Sequence, residues 1–153
     1  MNTLGLKMLF GYNHYAIGVN ARDLTHQESL RCPEPGGNCA NWVLGHIVHT
    51  RGAILGLLGE KPVWDPAEGE RYKRGSTPIT GATARPFPEI LDALDRSQER
   101  VMAGLERVKP EELGTGGEDS LAGKLAKLQF HEAYHAGQLG LLRRFAGKKG
   151  AIP

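Results

Sequence analysis

Two histidines four residues apart, His131 and His135, lie in a segment whose apolar residues recur with the period of an α-helix. Residues four apart on a helix project from the same side, so one metal ion can contact both imidazoles. The helix face within about 60° of His131 is expected to be buried, and it carries Leu128, Tyr134, His135, Gln138, Leu142 and Phe145. The pair predicts half of a metal site, with two hydrogen-bonded structural histidines as the alternative.

Four segments of the sequence have a helical pattern of apolar residues, and no stretch alternates as a strand does. They are residues 3–30, with a break near 18–23, and residues 39–58, 88–109 and 121–146. Asn38 and Ser120 are the expected N-caps of the second and fourth helices, which Gly59 and Gly147 end. The expected fold is all-α, a four-helix bundle of antiparallel type, formed as one domain by residues 1–153.

The long connection between the second and third helices, residues 61–86, contains four prolines and has no sustained period. A crossover of this length can lie across the bundle and form part of a pocket wall, or it can be a solvated connector held by Trp64. Both alternatives stay open at this point.

Charge and composition restrict the kind of partner. The chain has 19 basic and 17 acidic residues and a formal net charge of +2, which predicts no attraction to nucleic acid. No apolar run is long enough to span a bilayer, and no secretory signal is recognisable, so we expect a cytoplasmic protein with a small-molecule partner. Cys32 and Cys39 are expected to be free thiols, although a disulfide across the intervening turn is the alternative.

A third metal ligand is expected from an upstream histidine. The candidates are His14, His26, His46 and His49. His46 lies at the centre of the inner face of the second helix, whereas His49 lies at the edge of that face. Because a bundle brings inward histidines of different helices around one core position, we predict that His46, His131 and His135 hold the metal.

The string His131-Glu132-x-x-His135 also matches the zincin pattern, in which the glutamate is the general base. Beyond His135 there is no Asp, Glu or His to complete such a site, so a minimal zinc peptidase is the lesser alternative. Glu132 lies about 100° around the helix from His131 and can either reach a metal-bound water or pair with an arginine at the bundle surface. Tyr134 and Gln138, and more weakly His49, are expected to support the ligands by hydrogen bonds.

Three segments together resemble the DNA-damage-inducible DinB-like family of bacterial metal-binding four-helix bundles. They are residues 12–16 (Tyr-Asn-His-Tyr-Ala), 41–46 (Asn-Trp-Val-Leu-Gly-His) and 131–139 (His-Glu-Ala-Tyr-His-Ala-Gly-Gln-Leu). The resemblance implies a divalent ion, most often zinc or nickel, on the three histidines, with other positions open to water or substrate. It also implies a dimer and a relation to the metal-binding domain of mycothiol-dependent maleylpyruvate isomerase and to transferases that use a low-molecular-weight thiol.

Three neutral histidines leave the ion its charge and a free position, which can activate a water or bind a thiolate. We therefore expect a metal-dependent enzyme that acts on a small molecule by hydrolysis or thiol transfer. The alternative is a non-catalytic bundle with a structural or regulatory metal.

Apolar stripes on the outer sides of the first two helices predict a homodimer through those helices, unless the long loop covers them. The residues of the stripes are Met8, Tyr12, Tyr15, Val19, Leu44, Val48 and Leu55.

Overall fold

The computed structural model describes residues 2–34, 36–114 and 116–152, and within these ranges its regular secondary structure is all helical, with no β-strand. The α-helices are α1 (Thr3–Ala21), α2 (His26–Ser29), α3 (Ala40–Leu57), α4 (Pro66–Glu70), α5 (Phe87–Arg107) and α6 (Leu121–Phe145), and a short 3₁₀ helix spans Pro110–Leu113. The predicted all-α class is confirmed. None of the described helices is both long and apolar enough to cross a bilayer.

Helices α1 and α6 pack side by side in parallel. Near their middle, Asn13 Nδ2 donates to the carbonyl of Gln129 at 3.0 Å. Further along both helices, the Asn20 side chain lies against Gly140. Residue numbers therefore rise together along the two helices.

Helices α3 and α5 also run in parallel, which explains the long connection between them. Asn41 Nδ2 donates to the carbonyl of Arg85, just before α5 begins. Further along both helices, Arg51 Nη1 donates to the carbonyl of Leu94. A chain that leaves one helix and enters a parallel neighbour must return to the starting end of the bundle. The crossover between the second and third long helices follows from this topology.

The ends of the predicted helices agree with the structure in most places. The first segment breaks after Ala21, and α2 begins at a capping box in which Thr25 Oγ1 accepts from the Glu28 N–H. The predicted cap at Asn38 is wrong, because the N-cap of α3 is Cys39, whose side chain makes no capping hydrogen bond. Ser120 caps α6 as predicted, through a 3.0 Å bond from the Gly123 N–H.

The buried face of α6 is rotated from the predicted one. Tyr134 and Phe145, expected inside, are 59% and 48% exposed, whereas Glu132 and Ala136 are buried. The centre of the buried face lies about 90° around the helix from His131. The hydrophobic pattern predicted the wrong face because the buried face includes two charged residues, Glu132 and Arg143. Each is buried in contact with an oppositely charged partner.

On the second long helix, the residues of the predicted outer stripe are not exposed as expected. Leu44, Val48 and Leu55 are all buried within one chain. The reason is that α3 lies against α4, α5 and α6 at once, so it has no apolar side left for another chain. Only the α1 part of the predicted stripes is exposed, with Met8, Tyr12 and Tyr15 at least half accessible.

The crossover segment packs onto α3 through a few buried side chains, while most of its other residues are exposed. Tyr72 is fully buried, and its hydroxyl donates to Asn41 Oδ1 at 3.2 Å. Trp42 Nε1 donates to Ser76 Oγ at 3.1 Å. The Tyr72 ring covers Gly45, where a Cβ atom would lie only 2.2 Å from Tyr72 Cδ1. The segment thus lies against the bundle, as the first alternative expects, and it is anchored by the buried Trp64, as the second expects.

Replacement of Gly45 by alanine should therefore displace Tyr72 and destabilise the protein by about 1–3 kcal/mol, the usual cost of overpacking. Gly56→Ala in the same helix is the matched control, because a Cβ at Gly56 meets nothing within 4 Å. It should stabilise the protein by about 0.5–1 kcal/mol. Urea unfolding of both variants measures the difference, and equal effects would contradict the packing of Tyr72 on Gly45.

Candidate metal centre

The three predicted ligands come together between α3 and α6. His46 Nε2 lies 3.2 Å from His131 Nε2, which in turn lies 3.2 Å from His135 Nε2. The ligand atoms of all three side chains lie within 4.8 Å of one another. His46 and His135 are buried and His131 is partly buried, so the cluster lies just beneath the surface. The group can hold a metal ion.

Hydrogen bonds at the far side of two rings fix which nitrogen faces the cluster. His46 Nδ1 lies 2.7 Å from the Tyr72 carbonyl, which can only accept, so this nitrogen carries the proton. His135 Nδ1 lies 2.7 Å from Gln138 Oε1, while Gln138 Nε2 donates to the Tyr134 hydroxyl at 3.2 Å. When neutral, His46 and His135 therefore both aim the lone pair of Nε2 at His131.

His131 cannot satisfy both lone pairs. A neutral imidazole has at most one N–H at Nε2, and that proton can serve only one of two acceptors well. The other lone pair would face a third nitrogen with nothing between them. A cation at the centre resolves this conflict for all three nitrogens, and the donor set therefore fits a metal ion.

The protonation of the rings favours the same interpretation. Burial lowers the pKa of His46 to about 4, against the opposing effect of the Tyr72 carbonyl, and the neighbouring His135 and His131 lower it further. Burial also lowers the pKa of His131 and of His135. All three imidazoles are consequently neutral at pH 7, which is the form that binds a metal.

The residues predicted to support the ligands have different positions. Gln138 holds the ring of His135 directly, and the Tyr134 ring packs edge-on against His135 with 5.2 Å between centroids. The ring of His49 lies 6.4 Å from that of His46, and His49 is not one of the three converging side chains. The Tyr72 carbonyl was missed by sequence reasoning, because no sequence pattern marks a backbone acceptor in an irregular loop.

Glu132 faces the core and not the histidine cluster. Its two carboxylate oxygens accept from Arg51, with Nε to Oε2 at 2.7 Å and Nη2 to Oε1 at 2.9 Å. Of the two predicted roles, the pairing with an arginine is the one found, although in the core and not at the bundle surface. With both oxygens engaged, Glu132 is not placed as the general base of a zincin. Arg51 could have been noticed as the only charged residue in the α3 sequence.

The remaining upstream histidines lie outside the cluster. His14 Nε2 lies 3.3 Å from Asp95 Oδ1, and burial lowers the pKa of His14. His26 Nδ1 accepts from the Phe87 N–H at 3.3 Å. Cys32 and Cys39 are free thiols, as expected.

A cavity of about 450 Å³ lies next to His46, between α3 and the crossover segment. Its lining includes His46 and His49 from α3 and Trp64, Glu70 and Arg74 from the crossover. The segment that orients His46 through the Tyr72 carbonyl therefore also forms a wall of this cavity. A small molecule in the cavity would lie beside a predicted metal ligand.

Fold and site together define a class: an α-helical bundle in which two helices bring three histidines to one point. The family model described as the DinB superfamily matches residues 20–139, a range that includes His46, His131 and His135. The chain belongs to the DinB superfamily. No curated protein matches the sequence. The relation to mycothiol-dependent maleylpyruvate isomerase stays a prediction.

The buried ion pair gives a stability prediction. Glu132→Leu leaves the Arg51 guanidinium buried without its carboxylate and should destabilise the protein by about 3–5 kcal/mol. The double variant Arg51→Met with Glu132→Leu removes both charges and should restore most of that loss. Chemical unfolding of the metal-free proteins tests this, and a double variant less stable than the single one would refute the assignment.

Proposed function

We propose that this protein binds one divalent metal ion through His46, His131 and His135 and uses it to act on a small molecule by hydrolysis or thiol transfer. The observation that carries the proposal is the convergence of three Nε2 atoms, two of which have their lone pairs fixed toward the third. Zinc and nickel are the expected ions because the family resemblance implies them, and imidazole nitrogen is a suitable ligand for both.

The residues have separate tasks in this proposal. The three histidines hold the ion, while the Tyr72 carbonyl and Gln138 keep two of the rings in the binding orientation. A divalent ion held by these three neutral ligands would retain its charge and would lower the pKa of a water or thiol bound to it. The adjacent cavity provides room for the substrate or for a low-molecular-weight thiol.

The two alternatives differ in what they require. A structural metal needs a closed site with four ligands, and His49 is not among the side chains that converge on the cluster. A zinc peptidase needs a free glutamate at position 132, but both oxygens of Glu132 are held by Arg51. An open metal site and a mechanism in which Glu132 is not the base are therefore favoured.

Elemental analysis of protein purified without an affinity tag tests the metal site. We expect about one ion per chain in the parent and almost complete loss after His46→Ala, His131→Ala or His135→Ala, because two histidines bind weakly. His49→Ala is the matched control on the same helix and should retain the ion. Full occupancy in all three ligand variants, or none in the parent after reconstitution with zinc or nickel, would refute the assignment.

Cobalt-substituted protein then distinguishes a catalytic from a structural site. Addition of a simple thiol such as 2-mercaptoethanol should produce a thiolate-to-cobalt absorption band if a coordination position is open. An unchanged spectrum would favour the non-catalytic alternative.

We also propose a homodimer, formed by the outer faces of α1 and α6. Eight large apolar side chains on these two neighbouring helices are about half exposed or more. They are Leu4, Met8, Tyr12 and Tyr15 on α1 and Phe130, Tyr134, Leu141 and Phe145 on α6. Lys7 is the only Lys, Arg, Asp or Glu in the whole of α1.

The size of this face supports a second copy as its occupant. Five of the eight side chains are aromatic, and an aromatic side chain has roughly 150–250 Å² to bury, so the eight together present on the order of 1,000 Å² at these exposures. A stable protein interface needs roughly 800 Å² per partner. Two copies related by a twofold axis can cover the same face of each other.

Leu141→Arg should therefore shift the protein from dimer to monomer, because the charge would have to be desolvated in the interface. Glu99→Arg, on the exposed side of α5, is the control and should leave the dimer intact. Sedimentation velocity at micromolar concentration measures both. A parent protein that is already monomeric there would rule out the proposed dimer.

A further inference from the structure

The ion pair between Arg51 and Glu132 lies in the core of the bundle. Arg51 is 0% exposed and Glu132 is 2% exposed, and two parallel N–H to oxygen contacts of 2.7 and 2.9 Å join them. Such a two-point contact fixes the direction as well as the distance of the partners. It therefore restricts both sliding and rotation of the two helices that carry it.

Those two helices are the ones that carry the histidine cluster. Glu132 directly follows His131 on α6, and Arg51 lies five residues beyond His46 on α3. At 1.5 Å per residue, five residues correspond to about 7.5 Å along the helix axis. The two-point contact between α3 and α6 therefore lies directly beside His131 and about one and a half helical turns from His46.

A third helix holds the arginine in place. Arg51 Nη1 donates to the Leu94 carbonyl at 3.1 Å and to Ser97 Oγ at 3.0 Å, both on α5. The guanidinium is thus fixed from two sides. It cannot follow Glu132 if α6 moves relative to α3.

Stability alone does not explain why two charges lie in this core. A buried ion pair is often no more stabilising than apolar side chains of similar volume, because both ions lose their hydration. Unlike apolar packing, the ion pair provides a directional contact. Because the pair lies beside the histidine cluster, a directional contact there can orient the helices that carry the histidines.

We infer that Arg51 and Glu132 are positioning residues of the metal site, which set the register of α3 against α6 so that His46 meets His131 and His135. The inference rests on the proposed function, because it concerns the same site. The glutamate of the His-Glu-x-x-His string thus acts on the ligand geometry from the core side, through Arg51, which engages both of its oxygens.

The test measures cobalt(II) and zinc(II) binding by the full chain. In the double variant Arg51→Met with Glu132→Leu, apolar side chains replace the pair, and the affinity for both ions should fall about 10- to 100-fold, as is typical when residues that orient metal ligands are lost. The visible absorption of the bound cobalt should change too, since it reports ligand geometry. A purely structural role predicts no spectral change in a folded variant.

A matched control removes another arginine–carboxylate pair from α6. Arg143 contacts both oxygens of Asp23, in the segment after α1, and does not involve α3. Arg143→Met with Asp23→Leu should leave cobalt affinity and spectrum within twofold of the parent. If the first double variant does not fold, Arg51→Lys replaces it, because a lysine keeps the charge but loses the two-point contact; a smaller change in the same direction is expected.

The outcomes separate the two proposals. Normal affinity and an unchanged spectrum in a folded Arg51 and Glu132 variant would overturn the positioning role and leave the metal site standing. Equal losses in the Arg143 and Asp23 control would also overturn it, because the effect would not depend on the α3–α6 contact. A parent that binds neither ion would overturn the proposed function itself.

Discussion

The burial of α3 is the constraint on which the rest of the structure depends. Twelve of its eighteen residues are buried, among them three with strongly polar side chains, Asn41, His46 and Arg51. A buried polar group without a partner costs a few kcal/mol, so each of the three needs a partner from another element. Asn41 and His46 find theirs in the crossover segment, and Arg51 finds its partners on α5 and α6. These polar contacts fix how the other elements lie around α3.

The helices themselves could be predicted because periodicity and capping are local properties of the sequence. The rotation of α6 could not, because a hydrophobic pattern treats Glu132 as a surface residue. Its burial depends on Arg51, 81 positions earlier in the chain. The outer stripe on α3 failed for a related reason: a sequence pattern indicates that Leu44 and Leu55 avoid water, but not whether the same chain or a second one covers them.

The histidine cluster was predictable to a greater extent than its surroundings. The spacing of His131 and His135 places them on one side of a helix, and His46 was the inward histidine of a second helix. The partners that orient these rings divide into two kinds. Gln138 lies on the same helix three residues after His135 and was predicted. The Tyr72 carbonyl belongs to a loop whose path depends on the packing of Tyr72 over Gly45.

The site and the core are linked through the same stretch of α3. One side of His46 meets the crossover segment and the cavity, while Arg51, further along the helix, meets the interior pair. The histidine cluster is thus bordered by the irregular crossover segment on one side and by the directional contact between α3 and α6 on the other.

Irregular segments vary most readily without loss of the fold. A protein built this way can change the shape of its cavity through residues such as Arg74 while the geometry of the three nitrogens stays with the bundle. The arrangement of the three histidines is consequently tied to the fold more closely than the shape of the cavity is.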